Sequence, residues 1–194
     1  MVPVILSDDE QRKIREHFTL HDECGIRNFL IVSFMIDYGL RCAEIPNIMI
    51  HDIKWESKLL LVRKTKTCNN RCIPLSNRTL SILETYLIQF RSRKSEYLFT
   101  TFNQRKQNPK MNTEEVRGVI RRAYLKENIH GYWKGTHALR RTAASNLFNN
   151  TNSFKIVSDI LGHESIDSTT SYVKVNFELL RSISSPWPGG EFNE

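Results

Sequence analysis

His137 and Arg140 stand three residues apart in "THALRRTAASNL", near the start of an Ala- and Leu-rich helical pattern. That spacing puts both side chains on one face of a helix, with Arg141 about 100° further round. A guanidinium presents a rigid fork of donors that matches phosphate, and an imidazole takes or passes a proton near neutral pH. By itself such a pair is ordinary surface decoration. Other chemically able residues are spread along the chain. Arg41 follows Gly39 in "YGLRCAEI", and Lys64 and Lys66 occupy the polar middle of "VRKTKTCNNRCIPL". His163 and Tyr172 are nine residues apart in "LGHESIDSTTSYVKV", with little apolar matter between them. A tyrosine hydroxyl, with an ordinary pKa near 10, becomes a nucleophile once its proton has somewhere to go. Taken singly, Tyr172 reads as a half-buried surface aromatic.

These residues need a scaffold, and the patterning supplies one. Ser7 and Glu10 form a capping-box signature ahead of a short helix over 7–18. Asp22 caps a second helix over 23–38, apolar nearly all round and therefore central, with Gly39 suited to its C-terminal end. Arg41 thus lies where a buried helix delivers its polar end to a surface. Three strand-like runs follow, 48–55, 58–64 and 71–75, separated by polar turns, and they predict a small antiparallel sheet with Lys64 and Lys66 at a hairpin turn. Ser76 caps a helix over 77–90, and a basic linker runs to Lys110. Further helices are expected over 113–129, 136–150 and 153–163, the last stopped at Gly162. In the first of these, Val116, Ile120 and Tyr124 share one face while Arg117, Arg121 and Arg122 point elsewhere. A short helix over 177–183 and a loose tail complete the reading. The fold class expected is a compact α+β domain, mostly helical, with one small antiparallel β-sheet.

Composition narrows the function classes. The chain has 194 residues, 40% of them hydrophobic, enough for one domain with a real core. No apolar run reaches transmembrane length and the N-terminus lacks a signal-peptide pattern, so a soluble cytoplasmic protein is expected. Cys24, Cys42, Cys68 and Cys72 do not form a disulfide framework. "CNNRC" lacks two further zinc ligands, and His17 and His21, at a helical i, i+4 spacing, read as an exposed polar face, so no metal is expected. The net charge is +7, and it is uneven: residues 91–141 hold 13 Lys/Arg against 4 Asp/Glu, leaving the remainder slightly acidic. One face is therefore suited to a polyanion.

Taken in order, an Arg in a "GLR-x-x-E" turn, a hairpin Lys, an "H-x-L-R" helix, an "L-G-H" turn and a Tyr soon after it resemble the tyrosine recombinases, the phage-integrase family of DNA breaking-and-joining enzymes. The resemblance covers about Leu6 to Ser182. It implies that Tyr172 attacks a DNA phosphodiester, giving a 3′-phosphotyrosyl link and a free 5′ hydroxyl. Arg41 and Arg140 would hold the charge that builds on the nonbridging oxygens. Glu44 would hold Arg41 by charge-assisted hydrogen bonding. His137 would accept or relay the tyrosine proton, and His163 would bond a nonbridging or tyrosyl oxygen. The family's general acid is a hairpin lysine, and counting back from "IPL" favours Lys66 over Lys64. Lys64, Arg117, Arg121, Arg122 and Arg141 then read as DNA-binding residues that contact phosphates.

The same resemblance implies strand exchange and rejoining without ATP, metal or small-molecule cofactor, for a mobile genetic element. Partners would be double-stranded DNA and further copies of the chain, as a dimer or tetramer on DNA, with no membrane, in a nucleoid-associated setting. The expected division is a catalytic domain over 1–182 and a flexible tail over 183–194, the family's N-terminal core-binding domain being absent from this chain. Two other readings stay open: a type IB topoisomerase-like relaxation enzyme, and a DNA-binding protein on this scaffold that does not cut.

Overall fold

A buried helix organises the chain around itself. In the computed structural model, which describes residues 4–63, 70–91, 94–102, 109–130 and 135–162, α2 (Glu23–Ile36) is enclosed from Gly25 to Ile36. Its sequence is apolar nearly all round, and Arg27, Asn28 and Ser33 are buried with the rest, so it offers little solvent face. Asp22 caps it by accepting from the Gly25 N–H at 2.9 Å. Around α2 pack α1 (Asp8–Glu16), α3 (Asn77–Thr85), α4 (Thr113–Lys126) and α5 (Thr136–Thr151); α6 (Phe154–Leu161) packs on α5 and on the sheet. Ser7 and Glu10 close the expected capping box on α1, and Ser76 caps α3 through the Thr79 N–H. Asn112 with Glu115 makes a further capping box on α4.

The sheet is small and antiparallel, in the order β1 (Ile53–Lys54), β2 (Leu59–Val62), β3 (Arg71–Pro74). Leu60 faces Ile73 and Val62 faces Arg71 in the β2–β3 register. Leu60, Val62 and Ile73 all point inward to the core shared with α2. The architecture is the mostly helical α+β domain expected.

Three expectations fail locally. The run 48–55 is not one strand: only Ile53–Lys54 joins the sheet, and Ile50–Asp52 forms a single 3₁₀ turn. The Asp52 carboxylate accepts from the Met49 N–H at 2.9 Å and closes that turn. The backbone of this stretch pairs instead with 96–98, Ile50 N–H donating to Glu96 O and Leu98 N–H to Ile48 O, each at 2.8 Å. The middle of the supposed linker consequently joins the core, with Leu98 and Phe99 fully buried. Finally, His17 and His21 do not share a helix face. α1 ends at Glu16, His17 is its C-cap, and His17 Nδ1 lies 2.7 Å from Glu127 Oε1 at the end of α4.

Candidate active site

Arg41 owes its place to Gly39. After α2 the chain reverses through Gly39 at φ +66°, a left-handed conformation that glycine adopts without strain. A Cβ there would stand 2.3 Å from Leu161 Cδ2, so the position also demands the smallest residue. The turn sets Arg41 half-exposed at the domain surface, three residues before the buried Glu44. Glu44 accepts the Arg41 N–H at 2.7 Å and Arg41 Nη1–H at 3.3 Å.

Arg140 is on α5, a turn after His137. His137 is exposed at the helix start, whereas Arg140 is 2% exposed. The Arg140 guanidinium reaches across to the turn after α2 and to the end of α6: Nη1 donates to Gly39 O and Nη2 to Leu161 O, the latter at 2.8 Å. The last carbonyls of a helix lack intrahelical donors and carry partial negative charge, so an arginine at the end of α6 satisfies both needs. One side chain thus ties the turn that leads to Arg41 to the end of α6, where Gly162 at φ +67° closes the helix. His163 is next in sequence. His163, Tyr172, Lys64 and Lys66 lie outside the described residues, as do Cys68, the run 177–183 and the tail.

Glu44 has a second, stronger partner that the sequence reading missed. Arg71, the first residue of β3, donates Nη1–H to Glu44 Oε1 and Nη2–H to Oε2, both at 2.8 Å, and Nε–H to Ile160 O at 2.8 Å. The signal was present in "RCIPL". Ile73 points inward, so by the period of two Arg71 does too, and an inward arginine needs a partner. Burial would push the Glu44 carboxyl up, but the Arg71 guanidinium outweighs it, helped by the Arg41 N–H and by Arg140, and holds the group below the usual carboxylate value. Glu44 is therefore a fixed negative charge under the arginines. Beside them, burial pushes the Cys42 thiol up to about 11, which leaves it an unreactive thiol at neutral pH.

α4 presents a basic flank. Arg117, Arg121 and Arg122 are exposed, while Val116, Ile120 and Tyr124 are buried beneath them. Arg117 is ion-paired to Glu114. Two open grooves run along this helix. One, of about 460 Å³, is lined by Arg117, Arg121, Tyr124 and the start of α5 at Gly135 and Thr136. The other, of about 440 Å³, is lined by Arg121, Arg122 and Arg27, whose guanidinium lies 4.1 Å from the Phe102 ring centroid. Arg121 lines both grooves. Arg141 is half-buried on α5. Among the described residues no cluster of His, Cys, Asp and Glu suits a metal ion, and no helix is long and apolar enough to cross a membrane.

Comparison with known proteins agrees with this arrangement. The model of the phage integrase family matches residues 5–178. A putative integrase/recombinase of Sinorhizobium fredii, y4gC, is 32% identical over 168 residues, covering 86% of each chain. Tyrosine recombinase XerA of Pyrococcus furiosus is 30% identical over 181 residues, covering 93% of this chain and 60% of that protein. A second Sinorhizobium fredii relative, y4rF, is matched over only 39% of its length, so several relatives are considerably longer than this chain. A crystal structure of XerA recombinase superposes with a TM-score of 0.77 at 27% identity, covering 94% of this chain and 64% of that one. The Tn1549 transposon integrase in complex with circular intermediate DNA shares the fold at a TM-score of 0.74 and 20% identity, over 92% of this chain and 65% of that one.

Proposed function

The chain belongs to the phage integrase family, and we propose that it is the catalytic domain of a site-specific tyrosine recombinase that cuts and rejoins double-stranded DNA. The observation that carries this is the Arg140 bridge between Gly39 O and Leu161 O. It joins α5 to the turn that leads to Arg41 and to the end of α6 before His163, segments far apart in sequence. A phosphodiester resists attack because its own charge repels nucleophiles, and the transition state carries more charge still. Arg41 and Arg140 supply preorganised donors for those oxygens. His137, a turn before Arg140 on α5, takes or relays the proton of Tyr172 as it attacks. His163 bonds a nonbridging or tyrosyl oxygen. Lys66 protonates the 5′ oxygen that leaves, and the phosphotyrosyl bond keeps the energy needed for rejoining.

In this reading the catalytic unit is residues 1–182 with a tail over 183–194, acting for a mobile genetic element. Dimers or tetramers of the chain form on duplex DNA in the nucleoid. The Tn1549 neighbour, a transposon integrase in complex with circular intermediate DNA, supports the mobile-element setting. Lys64, Arg117, Arg121, Arg122 and Arg141 contact backbone phosphates.

The test is covalent trapping on a nicked duplex whose short cut strand diffuses away. The unaltered chain should give a denaturation-resistant protein–DNA adduct. Tyr172→Phe should bind the same duplex and give none. Adduct from the Phe variant would show that another residue is the nucleophile; no adduct from the unaltered chain would favour the non-cutting reading.

A further inference from the structure

Arg71 is a charged side chain in a place where folding alone has little use for one. It is 7% exposed, at the foot of the β2–β3 hairpin, and Glu44 beside it is 2% exposed. Taking both charges out of water is costly, and an apolar pair of equal volume usually holds a core as well or better. What the ion pair supplies is direction. Two parallel N–H···O bonds of 2.8 Å fix both oxygens of Glu44 in plane. Those same oxygens accept from the backbone and the side chain of Arg41. Without Arg71 the carboxylate would keep the Arg41 backbone N–H on Oε2, but Oε1 would lean on a 3.3 Å side-chain bond to a half-exposed arginine and could swing about it. Arg71 is itself held, because its Nε–H donates to Ile160 O and its chain runs beneath Gly162, where a Cβ would meet Arg71 Cδ at 2.9 Å. One side chain therefore touches the Arg41 turn, the end of α6 and the foot of the hairpin that carries Lys64 and Lys66.

We propose that Arg71 is a positioning residue for DNA cleavage: it locks the Glu44 carboxylate, which in turn aims Arg41 at the scissile phosphate. The proposal rests on the recombinase reading given above. Arg71 touches no substrate, so its effect must pass through Arg41, and that makes it separable from a purely structural role. The full chain is tested by single-turnover adduct formation on the nicked duplex, with thermal melting alongside. Arg71→Lys keeps the charge and loses the fork. It should slow adduct formation by about tenfold or more in the unaltered background, and by less than about twofold when Arg41 is already Ala, the non-additivity expected of residues that act through one another. Equal losses in both backgrounds would overturn the proposal.

A second variant guards against simple unfolding. Glu44→Leu with Arg71→Met replaces the buried pair by apolar side chains and should melt close to the unaltered chain. Its adduct formation should still fall by about tenfold or more. A folded double variant that cleaves at the unaltered rate would likewise overturn the proposal. No adduct from the unaltered chain removes the recombinase reading itself, whereas adduct with additive losses removes only the role of Arg71.

Discussion

Arg41 and Arg140 carry the same charge and the same proposed task, yet the fold holds them differently. Arg41 is half-exposed and leans on Glu44; Arg140 is enclosed and bonds the carbonyl of the Gly39 turn and that of Leu161 at the end of α6. Removing either should lower the cleavage rate by about two to three orders of magnitude, the scale of losing one preorganised transition-state donor. Stability should separate them. Arg140→Ala leaves Gly39 O and Leu161 O short of a donor and should cost about 2–3 kcal/mol in chemical denaturation. Arg41→Ala should cost less than about 1 kcal/mol, as exposed pairs do. Equal stability losses would mean that the two arginines are held alike. The helix spacing of His137 and Arg140 was legible because i, i+3 geometry is local. The burial of Arg140 was not, because it depends on α2 and α6, which meet it only in the fold. Arg71 escaped for the same reason: its partner Glu44 is 27 residues away.

At the scale of elements, the ends of helices decide where the chemistry sits. α2 had to stop at a glycine so that the chain could turn left-handed and bring Arg41 out, and α6 had to stop at another so that His163 would follow. Both stops were readable, since only glycine takes φ near +66° cheaply. Gly39→Ala combines that strain with a Cβ 2.3 Å from Leu161 Cδ2. It should destabilise the chain by about 2 kcal/mol or more and slow cleavage as well, because the Gly39 carbonyl anchors Arg140. A Gly39→Ala chain that melts and cleaves as before would show that the turn relaxes freely. What could not be read was the pairing of 48–50 with 96–98: the strand-like run 48–55 carries no mark of its partner, which lies in what read as a basic linker. On α4, by contrast, the alternation of apolar and basic positions placed Arg117, Arg121 and Arg122 outward as found. If this flank faces DNA, neutralising Arg121 and Arg122 should flatten the slope of log affinity against log salt by up to about one unit for each phosphate they had neutralised. An unchanged slope would turn α4 away from the duplex.

The whole molecule poses a question of assembly that begins just after Tyr172. By sequence, Val173, Phe177 and Leu180, outside the described residues, recur at i, i+4, i+7, the spacing expected of one apolar face of a short helix. Seven or eight residues cannot hold a helix alone in water, so a helix there would need a dock. The described core is already closed around α2. The small satellite cluster of Val157 and Leu161 with Leu147, Phe148 and Phe154, by contrast, has Ile156 at 43% exposure nearby. The family resemblance implies a neighbouring copy on DNA as the dock, an exchange of identical elements that would tie the position of Tyr172 to assembly; docking on the chain's own core is the alternative. A lone protomer would then hold its nucleophile without the contact that orders it, and single-copy cutting would be avoided. Truncation after Asn176 should leave a folded monomer that still binds DNA, since the core and the basic flank remain. Cooperative assembly on two-site DNA should disappear, and adduct formation should no longer depend on the second site. Sedimentation with one-site and two-site duplexes, beside trapping on the nicked substrate, reads both effects. Unchanged cooperativity would exclude the exchange, and a truncated chain that fails to fold would place the helix on its own core.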